Sequence, residues 1–287
     1  KYPTAFDFNE DLEEIILNHL VDAKKTSSKV ITEDSKFFTM GSCFAKNFAR
    51  SILTINKSAK VDYLEFSEQL NTTYANKTLV EYLQGKPLKS GLSDRINELL
   101  AEKTIDKLVK SIEEADVFIL TLGSAWAFFD TKTDEFILPR STSLNSRALA
   151  EDYDFRLTTV EQNTSNLGDV IQGIFKINPN IKIVLTVSPV PLMTTFNKRP
   201  CVQSDCLSKS TLRLAAEQIL HQFSGQNICY WTSFEVFRWV GSNVSDFYGG
   251  DDGASWHVTE NKVDKTISAF LNYLSTNEKA HKQKTFK

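Results

Sequence analysis

The chain has 287 residues, a formal net charge of −3, and apolar and charged fractions of 41% and 24%, the balance of an ordinary globular protein. That charge gives no sign of the basic surface that nucleic-acid binding needs, and no apolar run approaches the ~18–20 residues required to span a bilayer. Its four cysteines are too few and scattered for a disulfide scaffold; Cys201 and Cys206 lack further ligands at zinc spacing and read as a local disulfide or as two unrelated thiols.

In chain order, "NEDLEEIILNHLVDAK" (9–24) repeats apolar positions at helical spacing and predicts a helix lying across the main domain. "KFFTM" (36–40) is strand-like and passes through Gly-Ser-Cys into a helical period carried by Phe44, Phe48 and Ile52. "VDYLEF" (61–66) predicts a second strand, "SEQLNTTYAN" a polar loop, and the stretch up to Ala115 further helices. "DVFILTLG" (116–123) is a continuous apolar run, as a parallel strand buried on both faces requires. "AWAFFDTKTDEFILP" (125–139) reads as a hairpin, and a helix is expected from about Leu157 to Lys176. "IKIVLTVSP" (181–189) predicts another buried strand, followed by a loop through Cys206 and a helix with Ser208 as its N-cap. "NICYW" (227–231) is a short fifth strand, and a glycine-rich loop (241–257) leads to a last helix from Glu260 to Leu274.

Strands and helices alternating five times predict an α/β fold, a doubly wound, mostly parallel five-stranded sheet between helical layers. Ligands in such sheets bind beyond the carboxyl ends of the strands, where the strand order reverses. The expected organisation is an N-terminal helical extension (1–30), one domain (31–275) and a polar basic tail (276–287). The first residues lack the apolar middle of a signal peptide, which places the chain in the cytoplasm, or in a secreted or periplasmic setting if a leader was removed. Five Asn-x-Ser/Thr sequons begin at Asn56, Asn71, Asn76, Asn163 and Asn243.

Ser42 follows the first strand and opens the first helix of the domain. There, unpaired backbone N–H groups and the helix dipole favour developing negative charge, as acyl transfer through an oxyanion demands. The same position equally suits a plain helix N-cap. Cys43 is a competing nucleophile or a small residue packed under the helix. A serine nucleophile needs a base. Of the four histidines, His257 alone follows a loop on this edge, with Asp251 and Asp252 just upstream. The "GGDDG" run lacks the alternating carboxylates of a calcium loop. Ser124 ends a second strand but precedes no helix, so it is a lining or positioning residue, while Gly123 allows close backbone approach. Asn71 and Thr72 are either further side-chain donors or ordinary loop residues. Trp126, Trp231, Trp239 and Trp256 are core residues or sugar-stacking surfaces, with Trp256, beside His257, the foremost candidate.

"MGSCFA" (40–45) resembles the signature of the GSCFA family, a branch similar to the SGNH/GDSL-type hydrolases. "ILTLGSAWAFFD", "LTVSPVPL", "SKSTLR", "YWTSFE" and "FYGGDDGASWHV" resemble later segments of that family, in its order. The resemblance implies a flavodoxin-like three-layer fold, Ser42 as nucleophile, His257 as base, and Asp252 or Asp251 orienting the imidazole. It implies oxyanion donors from the Ser42 backbone N–H and from the loops around Asn71 and Gly123. No metal or cofactor is implied. The acid that usually stands three residues before the histidine is replaced by Ala254, "LPRSTS" stands where relatives carry Asn-Cys-His-Lys, and "GSA" replaces the superfamily's Gly-x-Asn. The activity implied is serine-dependent ester chemistry on a decorated carbohydrate, with water (esterase) or a sugar hydroxyl (O-acyltransferase) accepting an acyl group from a donor. The departures favour a second reading, a non-catalytic glycan-binding or interaction module; a third makes Cys43 the nucleophile.

Overall fold

The structure, a computed structural model, describes residues 2–21, 31–68, 70–89, 91–100, 104–139 and 153–275. Its strands are β1 (Lys36–Gly41), β2 (Lys60–Glu65), β3 (Val117–Leu122), β4 (Trp126–Asp130), β5 (Phe136–Ile137), β6 (Tyr153–Leu157), β7 (Lys182–Val187) and β8 (Ile228–Tyr230). The main helices are α1 (Leu12–His19), α2 (Cys43–Ile55), α3 (Thr73–Leu83), α4 (Leu92–Leu100), α5 (Ile105–Glu114), α6 (Val160–Ile177), α7 (Cys201–Gln222) and α8 (Glu260–Leu274).

The central sheet has the order β2-β1-β3-β7-β8, and each neighbouring pair is parallel. This is the flavodoxin-like order, with its reversal between β1 and β3. Along β3, Val117 and Ile119 enter one core while Phe118, Leu120 and Leu122 enter the other. A strand covered on both faces needs an unbroken apolar run, which is what "VFILTL" supplies. Apolar residues of α1, α2 and α8 close one face, and those of α3 to α7 close the other. On the first face Phe44, Phe48 and Ile52, one helical turn apart, are wholly buried, and the Phe48 ring meets that of Phe270 edge-on at 5.1 Å. The five expected strands and the α/β three-layer class are thus the observed ones.

Several local readings are corrected. The N-terminal helix is shorter than 9–24: α1 starts at Leu12, where Asp11 accepts from Glu13 N, and positions 22–30 lie outside the described residues, as do the tail from 276 and "LPRSTS" from 140 onward. The hairpin β4–β5 is joined by β6, a strand beyond those expected, into a second, antiparallel sheet. Ser208 is no N-cap; α7 begins seven residues earlier, directly after Pro200, and Ser208 Oγ accepts from Ala125 N at 2.8 Å. Cys201 and Cys206 therefore sit in the first turns of that helix, and both are free thiols. Of the sequon asparagines, Asn71, Asn76 and Asn163 are buried, which no glycan could accommodate. No described helix is long and apolar enough to cross a membrane.

Candidate active site

β1 ends at Gly41, whose φ of +149° suits glycine, and an added Cβ would overlap Thr121 Oγ1 and lie 2.5 Å from the Thr121 carbonyl oxygen. Two strands of the sheet therefore touch where the chain turns into α2. Ser42 caps that helix: its Oγ accepts from Phe44 N at 3.4 Å, satisfying one of the first-turn N–H groups. The residue has no exposed surface, and its hydroxyl donates to Ser188 Oγ, beyond the end of β7, at 3.5 Å.

Behind Ser42 lies a buried polar chain. Ser188 Oγ donates to Glu68 Oε2 at 3.5 Å, and Lys209 Nζ, on α7, donates to Glu68 Oε1 and to Gly123 O, each at 2.7 Å. The Lys209 side chain is wholly buried and that of Glu68 nearly so. Ser42, Glu68, Gly123 and Ser188 thus converge from beyond the ends of β1, β2, β3 and β7, at the crevice where the strand order reverses. Glu68, Ser188 and Lys209 were not singled out from sequence as site residues. Lys209 carried a signal, for it falls on the helical stripe of Leu212, Ala216 and Ile219, a buried face on which a charge needs a partner.

His257 lines a cleft of about 470 Å³ together with Cys43, Phe66, Glu68, Val190, Met193 and Trp256 among others. The loop before it folds back on itself: Gly249 N donates to His257 O and Gly253 N to Gly249 O, with both glycines at positive φ. This bulge delivers Asp252 Oδ2, five residues before His257, to His257 Nδ1 at 2.5 Å. The bond to His257, and next the N–H of Ala254, hold the Asp252 carboxyl below its ordinary range. An ionised carboxylate only accepts, so Nδ1 carries the proton and Nε2 is left as the basic nitrogen. Asp251, the other candidate, instead accepts from Glu260 N at 2.7 Å and so caps α8, whose own N-cap Thr259 makes no side-chain capping bond, its Oγ1 accepting from Gly250 N at 3.1 Å. The His257–Asp252 pair is open to solvent, at 55% and 48% side-chain exposure, and the Trp256 ring stands edge-on to the imidazole at 5.7 Å. Among the described residues no hydrogen bond joins His257 to Ser42.

The remaining candidates are committed elsewhere. Asn71 Nδ2 donates to Thr121 O at 2.7 Å, Asn71 O accepts from Ser124 N at 2.8 Å, and a Cβ on Gly123 would strike the Asn71 side chain at 2.8 Å. Ser124 Oγ accepts from Trp126 N at 2.9 Å. Asn71, Gly123 and Ser124 thus tie two strand-end loops together, and the Asn71 amide N–H points at a backbone carbonyl rather than into open space. Trp126 is buried, stacked on Phe155 at 5.4 Å, with its Nε1 donating to Ser204 O, so it packs the small sheet instead of lining the cleft. Burial, reinforced by the carboxylates of Glu68 and Glu65, pushes the Cys43 thiol up to about 11.

Fold and crevice define a flavodoxin-like α/β protein with its polar residues gathered beyond the strand ends at the switch point. The sequence matches the GSCFA family over residues 36–270, most of the chain, and the protein belongs to that family. No match was found among curated proteins. Among solved structures, one from Parabacteroides merdae, a GDSL-like lipase by its description, overlaps with a TM-score of 0.47 at 12% identity, covering 86% of this chain and 99% of that one. A family 2 carbohydrate esterase with a carbohydrate-binding domain from Corynascus thermopiles (Myceliophthora fergusii) gives 0.45 at 11% identity, over 84% of this chain and 65% of that one. The acetyl xylan esterase Est2A of Butyrivibrio proteoclasticus gives 0.46 at 12% identity, over 85% and 64%.

Proposed function

We propose that the protein carries out serine-dependent ester chemistry at the switch-point cleft, with Ser42 as nucleophile and His257, oriented by Asp252, as base. The observation that carries this reading is the Asp252–His257 bond beside a cleft that His257 lines together with Cys43, the first residue of the Ser42-capped helix. In this scheme Ser42 Oγ attacks an ester carbonyl, His257 Nε2 takes the proton and returns it to the departing alkoxide, and acyl-Ser42 is resolved by water or by a sugar hydroxyl. The oxygen that becomes negative lies at the N-terminus of α2, where helix N–H groups favour it. A decorated carbohydrate is the substrate class that the SGNH/GDSL resemblance implies, and the 39% exposed Trp256 beside His257 offers a ring for a sugar to stack on. Because Ser42 is covered in this arrangement, the scheme requires the residues over it to draw back when substrate enters. Cys43 is a poor alternative nucleophile, since a thiol pushed up to about 11 is almost entirely protonated at neutral pH.

The complete burial of Ser42 favours a second reading, a glycan-binding module in which Ser42 serves only as a cap. Turnover of small acyl esters, with and without sugar acceptors, separates the two. On the first reading Ser42→Ala abolishes turnover, His257→Ala lowers it roughly 10²–10⁴-fold, and Cys43→Ala stays within about tenfold. Glycan binding by a parent protein inert towards every ester, or fluorophosphonate labelling at Cys43 or Ser124, decides against Ser42.

A further inference from the structure

The buried chain behind the cleft has a direction that its own chemistry fixes. Lys209 Nζ can only donate, and an ionised Glu68 can only accept, so the Ser188 hydrogen is directed at Glu68. A hydroxyl has one donor and two acceptor lone pairs. Ser188 Oγ spends its acceptors on Val190 N at 3.3 Å and on the Ser42 hydroxyl at 3.5 Å. The Ser42 hydrogen therefore points towards Ser188, one Ser42 lone pair receives Phe44 N, and a single lone pair remains. Stability is a poor reason for such a pair, since replacing a buried ion pair by apolar residues of similar size is often neutral or stabilising.

We infer that Glu68, anchored by Lys209, is a positioning residue for Ser42 that acts through Ser188: it holds the Ser42 oxygen in place in the resting site and so fixes where its free lone pair is presented, the hydrogen swinging from Ser188 to His257 Nε2 as substrate enters. This deepens the ester-chemistry reading and rests on it, since an oriented lone pair matters only if Ser42 reacts. Glu68 also lines the cleft with Cys43 and His257, so substrate on the cleft wall and the buried hydroxyl share one carboxylate.

The test uses the whole chain, p-nitrophenyl acetate as substrate and a labelled fluorophosphonate as serine probe. It compares Ser188→Ala, Ser188→Thr and the double variant Glu68→Gln/Lys209→Met, each with its melting temperature. Ser188→Ala is expected to lower kcat and the labelling rate of Ser42 roughly 10–100-fold, the scale of a misdirected nucleophile, with KM and melting temperature little changed. Ser188→Thr, which keeps the hydroxyl, should restore most of the loss. The double variant, which leaves no unpaired charge, should fold and match Ser188→Ala. Parental kcat and labelling rate in both Ser188→Ala and the double variant overturn the inference while leaving Ser42 as nucleophile. Equal losses in both Ser188 variants, accompanied by a drop in melting temperature, indicate packing and also overturn it. A parent protein that hydrolyses no ester and takes no label at Ser42 removes the ester reading itself, and the positioning role with it.

Discussion

Lys209→Met isolates the cost of the buried charge pair, because methionine nearly matches the lysine in length and leaves no large void. In the parent protein Lys209 has no exposed side-chain surface and Glu68 only 7%, so water cannot take the place of the ammonium once it is gone. The substitution leaves the Glu68 carboxylate without its 2.7 Å partner and removes the donor to Gly123 O. Breaking one side of a buried pair typically costs about 3–5 kcal/mol. At roughly 2–4 °C per kcal/mol for a chain of this size, the melting temperature should fall by on the order of 10 °C. Adding Glu68→Gln removes the stranded charge, and the double variant should regain all but about 1–2 kcal/mol, the cost of the unsatisfied polar groups that remain. Urea unfolding of the parent, both single variants and the double variant closes the cycle. If Lys209→Met costs less than about 1 kcal/mol, or the double variant is no more stable than Lys209→Met, Glu68 is not a desolvated partner and the charge-pair argument fails.

Gly41→Ala should prevent folding or cost several kcal/mol by urea titration, because the new Cβ meets the Thr121 backbone, which cannot rotate away. Cys43 should alkylate with iodoacetamide far more slowly than the exposed Cys206 at pH 8, where a thiol near 11 is thiolate at about one part in a thousand, and should speed up as pH nears that value; peptide mapping reads both rates. Asp251→Ala should lower stability by about 1 kcal/mol through the lost α8 cap and leave kcat unchanged, whereas Asp252→Asn should cut kcat with little effect on stability. Asp252 has a depressed value in the folded protein, so the stabilisation it brings the loop is present above the ordinary carboxylate range and is lost as pH falls through the folded value. The His257 ring resonances should report loss of the Asp252 contact in acid, below the ordinary carboxylate range. Loss of the contact already within or above that range contradicts the link.

The central sheet could be read from the chain because its inner strands β1, β3 and β7 are covered on both faces, and burial on both faces writes a continuous apolar run such as "VFILTL" or "KIVLTV". The second sheet could not, because β6 pairs with β4 across many intervening residues and its residues are only partly buried, which leaves "YDFRL" without a strong alternation. Ser208 was misread as a helix start because its hydroxyl does bond a backbone N–H, but that N–H belongs to Ala125 on another element. Local sequence can place a cap residue, yet it cannot say whose N–H is being capped. The same limit governs the site. His257 and the upstream aspartates were visible as types and spacing, but only the bulge between Gly249 and Gly253 decides that Asp252 reaches the ring while Asp251 caps a helix. Lys209 is the opposite case, since its place on the stripe of Leu212, Ala216 and Ile219 puts an ammonium into an apolar face. A charge in that position demands a carboxylate from elsewhere in the chain. Such a violation of the buried stripe shows from sequence that a partner is needed, while only the fold identifies it as Glu68 and, through it, reaches Ser188.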